Sequence, residues 1–587
     1  MFLFDTTSTT NDSIQTIAPS NKIESEEITE WTYKTYEDYF IDNFNLPAET
    51  YTRDTETGVV TIDYTKITRQ TENEGIELLY NGNVFHTITN NDLTGAGSKA
   101  SPYMVNSTQG FWFLLNVDLF GGNLAGKTLQ LNSNIVLNDE AFDENGNPSG
   151  GDGVVYSWKT NDKNTYTLYI DGKGFYIDGL FINDNTANTV SLFRSNYYGT
   201  ISNINLREVY INAGRNVAAL TELCRHIKNI NLISGNIKGE NNVAGIIRTG
   251  YKIENCNNYA NVWGRLEVGG ITSGSAGTGN ITESNNYGKI NCVSYGVGGI
   301  AGRHQGVIES CNNYGKIYNA GNHTGGIAGI FNANATHKPK ILNSSNYGEI
   351  IAEKNVIAGG IIGYVEGYFE IRGCKNYGFV CSGVETCGEL IGQIACADIS
   401  VDTNVIVENC FVKSVNNQPV VGRVYNRKAE TKKILLTLSK ITITYNKDSN
   451  SSQAILLNYN TKNSIINAND IKVVFESKNE QNVFFIKTIL SPEAEINVKN
   501  VVVTEEKDGE VSNFHFCSTK NSSSFKMVEI IVNCKTQKFY YGNDFSKYYI
   551  SWKTGKIGLI SLDGRGQFQG QIDEEWLKNK GYEKKSA

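Results

Sequence analysis

Short apolar runs, each interrupted by turn-forming residues, recur at a nearly fixed period between Tyr251 and Gly378. One phrase, first seen as Ile253-Glu-Asn-Cys-Asn-Asn-Tyr259, returns four times, and its closing tyrosines are 28, 27, 33 and 30 residues apart. These tyrosines are Tyr259, Tyr287, Tyr314, Tyr347 and Tyr377. A second phrase, Gly-Gly-Ile, alternates with the first and ends in Ile271, Ile300, Ile327 and Ile361, before Gly388-Glu-Leu390 takes its place. A period of this length is typical of a solenoid, in which each repeat stacks on the next.

The repeat unit has the pattern of strands and not of helices. Its apolar residues are mostly Ile, Val and Tyr in short runs, as in 280–284, 289–293 and 299–301, and none keeps helical spacing over a helical length. About three short strands per period, each parallel to its copies in neighbouring repeats, describe a parallel β-helix. The sequence therefore predicts an all-β chain that folds as a right-handed parallel β-helix, because crossovers between parallel strands are almost always right-handed.

Stacking of the repeats accounts for the residue types within them. A small residue precedes each tyrosine by three positions, and Cys410 continues the series Cys256, Ser284, Cys311, Ser344 and Cys374. Because equivalent positions on successive coils lie about 4.8 Å apart, we expect an inward-facing ladder of hydroxyls and reduced thiols, and no disulfide framework. The Asn before each tyrosine and the Gly after it are expected to take a left-handed backbone, while the Ile of Gly-Gly-Ile enters the core.

These phrases resemble the GLUG-type repeats of bacterial surface adhesins and related phage proteins. The stretch that precedes the repeats has the same resemblance, in Gly97-Ser-Lys-Ala-Ser-Pro-Tyr103, Gly126-Lys-Thr-Leu-Gln-Leu131 and Ile170-Asp-Gly-Lys-Gly. Asn134 stands where that family usually has Asp. The resemblance covers roughly residues 95–425 and implies the β-helix scaffold; its residues are scaffold residues, so it implies little about function.

We divide the chain at residues 95, 425 and 535. Residues 1–95 are an N-terminal attachment segment, whose aromatic stretch Trp31–Phe44 either docks on a partner or packs locally on the rod. Residues 96–425 are the GLUG-like β-helix with an N-terminal cap, formed by a short helix over 109–116. Residues 426–535 continue the coil with different side chains, because Ile441, Ile471, Val501 and Ile530 begin strands that are 30, 30 and 29 residues apart. Residues 536–587 are a C-terminal aromatic cap or trimerisation piece with a short helix near 573–577.

Composition and charge narrow the class of protein. The net charge of −8 argues against nucleic acid as a main partner, and no apolar run is long enough for membrane insertion. The first residues, Met1-Phe-Leu-Phe-Asp5, lack the basic region of a secretory signal. That start favours a phage virion protein, which leaves the cell by lysis, over an exported adhesin.

Catalytic and metal-binding constellations are not specific in this sequence, so we expect no catalytic residue, no cofactor and no metal. Glu254, Glu283 and Glu309 recur at nearly the same place in successive repeats, where paired carboxylates could serve a glycosidase. Recurrence with the repeat favours a scaffold role. The close pair Cys224 and His226 is expected to divide between core and surface.

The leading hypothesis is therefore a non-enzymatic phage tail spike, tail fibre or head fibre that attaches to a host-surface glycan or protein. A bacterial surface adhesin and a β-helical polysaccharide depolymerase are the alternatives. We expect a homotrimer that contacts other virion proteins through its N-terminal segment. Candidate contacts lie where the period breaks, in the 332–340 insertion and in the C-terminal aromatic piece: Phe331, His337, Lys338, Lys340, Tyr540, Tyr541, Tyr548 and Trp552.

Overall fold

The chain forms a parallel β-solenoid, a β-helix of about 11 turns, with a mixed α/β cap at its N-terminal end. The structure is a computed structural model. It describes residues 32–148, 153–160, 167–193, 195–274, 279–332, 338–353, 356–380, 387–396, 401–415, 418–427, 431–445, 453–460, 464–476, 482–489, 495–505, 513–517, 524–533, 539–540, 550–552 and 582–584. The predicted fold class, an all-β parallel β-helix, is confirmed. No helix among these residues has the length and apolarity needed to cross a membrane.

Three mainly parallel sheets form the faces of the coil, and the first of them runs along its whole described length. The first sheet is the longest and begins with the antiparallel pair Leu93–Thr94 and Tyr103–Val105. It continues through Thr128–Leu131, Ile135–Val136, Tyr169–Asp171, Tyr176–Asp178, Asn196–Arg207, Thr221–Leu232, Ile247–Asn258, Asn280–Thr282, Asn285–Asn286, Val307–Glu309, Asn312–Asn313, Lys340–Leu342, Ser345–Asn346, Tyr368–Arg372, Lys375–Asn376, Thr403–Glu408, Phe411–Ser414, Ile434–Tyr445, Ser464–Phe475, Glu495–Glu505 and Ser524–Asn533.

The other two sheets cover different parts of the coil, the second between residues 181 and 388 and the third between residues 301 and 540. The second sheet contains Phe181–Asp184, Val209–Ala213, Arg215–Ala218, Gly235–Lys238, Asn241–Ala244, Asn261–Gly269, Ile290–Gly298, Ile317–Asn319, Asn322–Gly325, Ile350–Ala352, Ala358–Gly359 and Cys387–Gly388. The third contains Ala301–His304, Ala328–Asn332, Ile362–Glu366, Ile391–Cys396, Val421–Asn426, Gln453–Asn460, Asn482–Ile489, Asn513–Cys517 and Phe539–Tyr540. A separate antiparallel pair joins Ile550–Trp552 to Tyr582–Lys584.

The predicted inward columns are present. Ile271, Ile300, Ile327 and Ile361 are fully buried, and the backbone N–H of each donates to the carbonyl of its counterpart on the following coil. The small-residue ladder from Cys256 to Cys410 is also buried. Each of its side chains donates to the carbonyl two residues earlier, as Ser284 Oγ does to Thr282 O at 2.9 Å. Burial raises the pKa of the Cys256 thiol to about 12, so the thiol stays protonated. Cys387 is disulfide-bonded, in contrast to these free thiols.

The left-handed backbone lies elsewhere than the sequence suggested. It falls one residue before the small-residue ladder, for example at Asn255 (φ 49°) and Ser310 (φ 55°), and not at the Asn or Gly beside each tyrosine. Those glycines are required by close packing instead. A Cβ on Gly288 would lie 1.8 Å from the carbonyl oxygen of Ala260 on the preceding coil.

The Asn before each tyrosine has a different role, as a member of a buried amide ladder. Asn258, Asn286, Asn313, Asn346 and Asn376 are fully buried, and the Nδ2 of each of the first four donates to the Oδ1 of the next at 2.8–2.9 Å. Each Nδ2 also donates to the carbonyl two residues on, so both amide protons are satisfied inside the coil. Buried polar groups are tolerated only when paired in this way.

Strand pairing of the coil continues across residue 425 among the described residues. The core column that contains Ile371 passes to Val407, Leu438 and Ala468 on successive strands, and the backbone register continues from Ala468 to Val498. The left-handed position persists as well, at Asn409, Lys440, Asp470 and Asn500. The predicted helix over 573–577 lies outside the described residues.

The N-terminal residues pack on the end of the coil. The predicted cap helix is present as Thr108–Leu115, with Ser107 as its N-cap. A second helix, Tyr36–Phe44, lies against it, and the ring of Tyr39 stacks on that of Trp112 at 3.8 Å. Of the two interpretations of the 31–44 stretch, the buried rings of this helix favour local packing on the rod.

Short strands complete the cap. They are Thr32–Lys34 paired with Val154–Tyr156, the hairpin of Tyr51–Arg53 and Val60–Ile62, and the antiparallel sheet of Ile67–Glu72, Gly75–Tyr80 and Asn83–Thr89, with 3-10 turns at Ala48–Thr50 and Tyr64–Lys66. Together with the helices they cover the first coil, whose strand edges and apolar core would otherwise face water.

Candidate binding surfaces

The predicted contact Phe331 is a core residue, which corrects the sequence-based interpretation. Its side chain is fully buried in the third sheet, with its ring 4.8 Å from that of Phe369 and 5.6 Å from the imidazole of His304. Register explains this outcome, because Phe331 pairs with Val365 on the next strand, a position that points into the coil. Phe331 therefore cannot contact a receptor in this fold.

Two other predicted contacts, Lys338 and Lys340, lie on the outer surface of the first sheet. Lys338 Nζ sits 5.4 Å from the ring centroid of Tyr368, in a cation–π arrangement. Lys340 Nζ lies 3.2 Å from Glu370, which also accepts from Arg372 at 3.1 Å. Burial opposes ionisation of Glu370, but these hydrogen bonds outweigh it and hold its pKa below the usual value. Both lysines are thus engaged within the protein, and their role in receptor binding stays a prediction.

The remaining predicted contacts belong to the 332–340 insertion and to the C-terminal aromatic piece. His337, Tyr541 and Tyr548 lie outside the described residues. Tyr540 lies in the last strand of the third sheet, and Trp552 lies in the separate antiparallel pair.

The tyrosines of the repeat form an exposed aromatic ladder. Rings of successive coils stack nearly parallel, with centroids 4.4, 4.8, 4.9 and 5.0 Å apart from Tyr259 to Tyr377. The first four are 40–48% exposed. Because each ring face is covered by its neighbour, the ladder presents ring edges and hydroxyls to solvent. We therefore interpret the aromatic ladder as a stack that stabilises the scaffold, in which few ring faces are free to bind a ligand.

A different surface, outside the predicted set, has exposed tyrosine rings and an arginine that makes no ion pair among the described residues. It is an open groove of about 390 Å³ on the outer side of the first sheet. We call it the tyrosine–arginine groove, and its lining residues are Tyr169, Tyr198, Thr200, Arg225, His226, Tyr251 and Lys252. Its volume falls in the range of about 300–1,000 Å³ that is usual for small-ligand sites.

An interruption in strand register forms this groove. Between Asn196 and Thr200 the pairing with the next strand shifts, so Tyr197 and Tyr198 bulge outward. Asn196 fixes the bulge, because its amide bonds both the N–H and the carbonyl of Leu168 at 2.8 and 2.7 Å. Tyr198 is consequently 58% exposed.

Tyr251, one of the lining residues, donates from its hydroxyl to Tyr197 OH at 3.0 Å and so joins the groove to the bulge.

The charges of the groove are arranged around one carboxylate. The two oxygens of Glu254 lie 2.6 Å from Lys252 Nζ and 2.6 Å from His226 Nε2. The hydrogen bond from Lys252, with that of His226, lowers the pKa of Glu254, so it stays ionised. Arg225 is exposed and has no ion-pair partner among the described residues, and Lys228 is exposed nearby. The groove therefore has a net positive charge in a chain whose net charge is −8.

The predicted column of acidic residues is only partly present. Glu254 and Glu309 occupy one surface row, separated by Thr282, whereas Glu283 sits in the left-handed position of the neighbouring row. Stacked carboxylates at adjacent coils, the premise of the glycosidase alternative, are therefore absent from this row. Cys224 and His226 divide as expected, since the thiol is buried and the imidazole faces the groove.

The sequence did not indicate the groove because most of its residues precede the regular repeats. Its strongest signal was local: Gly199 follows two tyrosines inside a strand pattern, and an isolated glycine there indicates a bulge. A Cβ on Gly199 would lie 2.2 Å from the carbonyl oxygen of Leu168, so only glycine fits.

No protein-family model and no curated protein matches the chain. Among solved structures, one similar chain is described as a "putative immunoglobulin A1 protease" from Bacteroides ovatus. It shares 17% sequence identity at a TM-score of 0.32, over 48% of this chain and 77% of that one. A likeness of this extent carries no argument about activity.

Proposed function

We propose that the protein is a rod-shaped, non-enzymatic attachment protein that binds a host cell surface through the side of its coil. The observation that carries the proposal is the tyrosine–arginine groove, where exposed rings and an unpaired arginine lie together on a rigid sheet. Sites on rigid elements hold their side chains in place before binding, which lowers the entropic cost of association.

The virion setting is part of this proposal and rests on the GLUG-type resemblance of the repeats. In this setting the protein is a phage tail spike, tail fibre or head fibre, assembled as a homotrimer and joined to other virion proteins at its capped end. Exposed aromatic residues on a soluble rod support a partner-binding role, because large apolar side chains are usually withdrawn from water.

Immunogold electron microscopy with antibodies against the chain tests this setting. Label on appendages of purified phage particles is the expected result. Label on the bacterial envelope, with none on phage particles, would contradict the phage-appendage hypothesis and support the bacterial adhesin.

A second measurement tests the non-enzymatic part of the proposal. Incubation of the purified protein with host-surface polysaccharide should release no new reducing ends. Release that is abolished by Glu254→Gln or Glu309→Gln would identify a depolymerase instead.

A further inference from the structure

The tyrosine–arginine groove is long and shallow. Its residues come from four consecutive coils, which contribute in turn Tyr169, Thr200 with Tyr198, His226 with Arg225, and Lys252 with Tyr251. Three steps between coils give it a length of about 14 Å. This shape suits a segment of an extended polymer better than a single compact molecule.

The tyrosine rings that line the groove have apolar faces and polar hydroxyl edges. Tyr169 and Tyr198 are 44% and 58% exposed, and neither belongs to the stacked ladder of the repeats. A phenol ring offers a flat apolar face together with a hydroxyl that donates and accepts hydrogen bonds. Sugar rings, with apolar C–H faces and hydroxyl edges, match this combination.

The cations add a preference for negative charge. Arg225 presents a planar fork of donors that matches a carboxylate, sulfate or phosphate, and it makes no ion pair with a carboxylate of the described residues. Glu254 partly neutralises the charge of Lys252. The same ion pair also keeps the Lys252 ammonium group at the groove. By contrast, Glu370 engages both Lys340 and Arg372, which leaves the patch near the 332–340 insertion less suited to an anion.

We propose that the tyrosine–arginine groove binds a segment of an acidic glycan, with its anionic group on Arg225 and its sugar rings against Tyr198 and Tyr169. This inference rests on the proposed function, since it names the ligand class of that attachment site. Nucleic acid is a poorer fit, because polyanion binding depends on many phosphate contacts, while the groove itself offers Arg225 and Lys252.

Binding of the full chain to defined polysaccharides tests the proposal by calorimetry at low and physiological salt. Dextran sulfate and neutral dextran form a matched pair that differs in charge, and oligogalacturonate replaces sulfate by carboxylate. We expect binding to at least one acidic probe and none to neutral dextran. Which acidic probe binds more tightly identifies the anionic group.

Substitutions link this binding to the groove. Arg225→Ala should weaken it about ten-fold or more, the loss expected for one charge-assisted hydrogen bond. The control Lys289→Ala removes the same charge from an exposed lysine outside the groove and should change the Kd less than two-fold, an effect of roughly 0.4 kcal/mol. Tyr198→Ala should weaken binding, and Tyr198→Phe, which keeps the ring, should retain most of it.

Absence of binding to both acidic probes would overturn the proposal. So would binding that Arg225→Ala and Lys289→Ala reduce equally, because the attraction would then be non-specific, or equal binding to single-stranded DNA. Adsorption of the protein to host cells tests the attachment function separately from the acidic-glycan site. If adsorption persists in Arg225→Ala while no glycan binds the groove, the attachment function stands and the acidic-glycan site does not.

Discussion

Glu389 is a carboxyl group buried at the end of the amide ladder, and its replacement tests how the interior of the coil is held together. It stands where earlier repeats have the second glycine of Gly-Gly-Ile, and it is fully buried. Asn376 Nδ2, the last amide of the ladder, donates to it at 2.6 Å, and Ser414 Oγ donates to its other oxygen. Burial raises its pKa to about 8 in spite of these hydrogen bonds.

The direction of the pH effect follows from proton binding. Between the ordinary pKa of 4.5 and the folded value of about 8, the folded state retains a proton that the unfolded state has lost. Stability is therefore full below about pH 4.5 and is lost as the pH rises toward 8. At about 1.4 kcal/mol per pH unit, the loss by pH 7 is about 3 kcal/mol.

Glu389→Gln should remove this penalty. A glutamine Oε1 can accept from Asn376 as the ladder asparagines do, and its Nε2 can donate to Ser414. The variant should match the parent in denaturant unfolding near pH 4.5 and exceed its stability by about 3 kcal/mol at pH 7. The control Glu349→Gln removes an exposed carboxylate paired with Lys316 and should leave the pH dependence unchanged. Parallel pH profiles for parent and Glu389→Gln would refute a neutral buried carboxyl at this position.

Four further predictions concern stability and assembly. Ile300→Asp should destabilise the protein by several kcal/mol in denaturant unfolding, because it buries a charge. The control Val293→Asp, at an exposed position of the same coil, should be nearly neutral. Equal effects of the two substitutions would contradict the buried isoleucine column. Asn313→Ala should cost about 2–3 kcal/mol by leaving the amide of Asn286 unpaired, and the half-buried neighbour Asn312→Ala should cost less than about 1. Burial lowers the pKa of His323 to about 4, so the stability contributed by the neutral imidazole should be lost as the pH falls from 6.5 toward 4. His323→Gln should therefore reduce the loss of unfolding free energy over this pH range. Light scattering should give a trimer for the full chain and a smaller species for a truncation after residue 535; a monomeric full chain would remove the trimer.

Periodicity made most of the scaffold predictable. The columns of Ile300 and Cys311 follow directly from spacing, since equivalent residues of a solenoid must stack. The role of Asn286 did not follow, because an asparagine before a turn suits a left-handed backbone and a buried amide ladder equally well. Only the register of the neighbouring coil decides between them.

The candidate site was less predictable than the scaffold, for a physical reason. Breaks in the period indicated loops, yet Phe331 beside the 332–340 insertion points inward and Lys340 is held by Glu370. The tyrosine–arginine groove depends on a bulge fixed by Asn196 and on side chains from four coils. Such a site forms where coils of dissimilar sequence stack on one another. Periodicity along the sequence does not predict which side chains then lie together.

Competition for adsorption tests the attachment function most directly. Host cells are incubated with the purified full chain before the phage is added, and unadsorbed phage are counted. We expect the parent protein and the control Lys289→Ala to slow adsorption, and Arg225→Ala to do so only at a concentration about ten-fold higher or more. Adsorption that is unchanged at saturating parent protein, on cells to which the phage binds, would contradict the claim that this chain is the attachment protein.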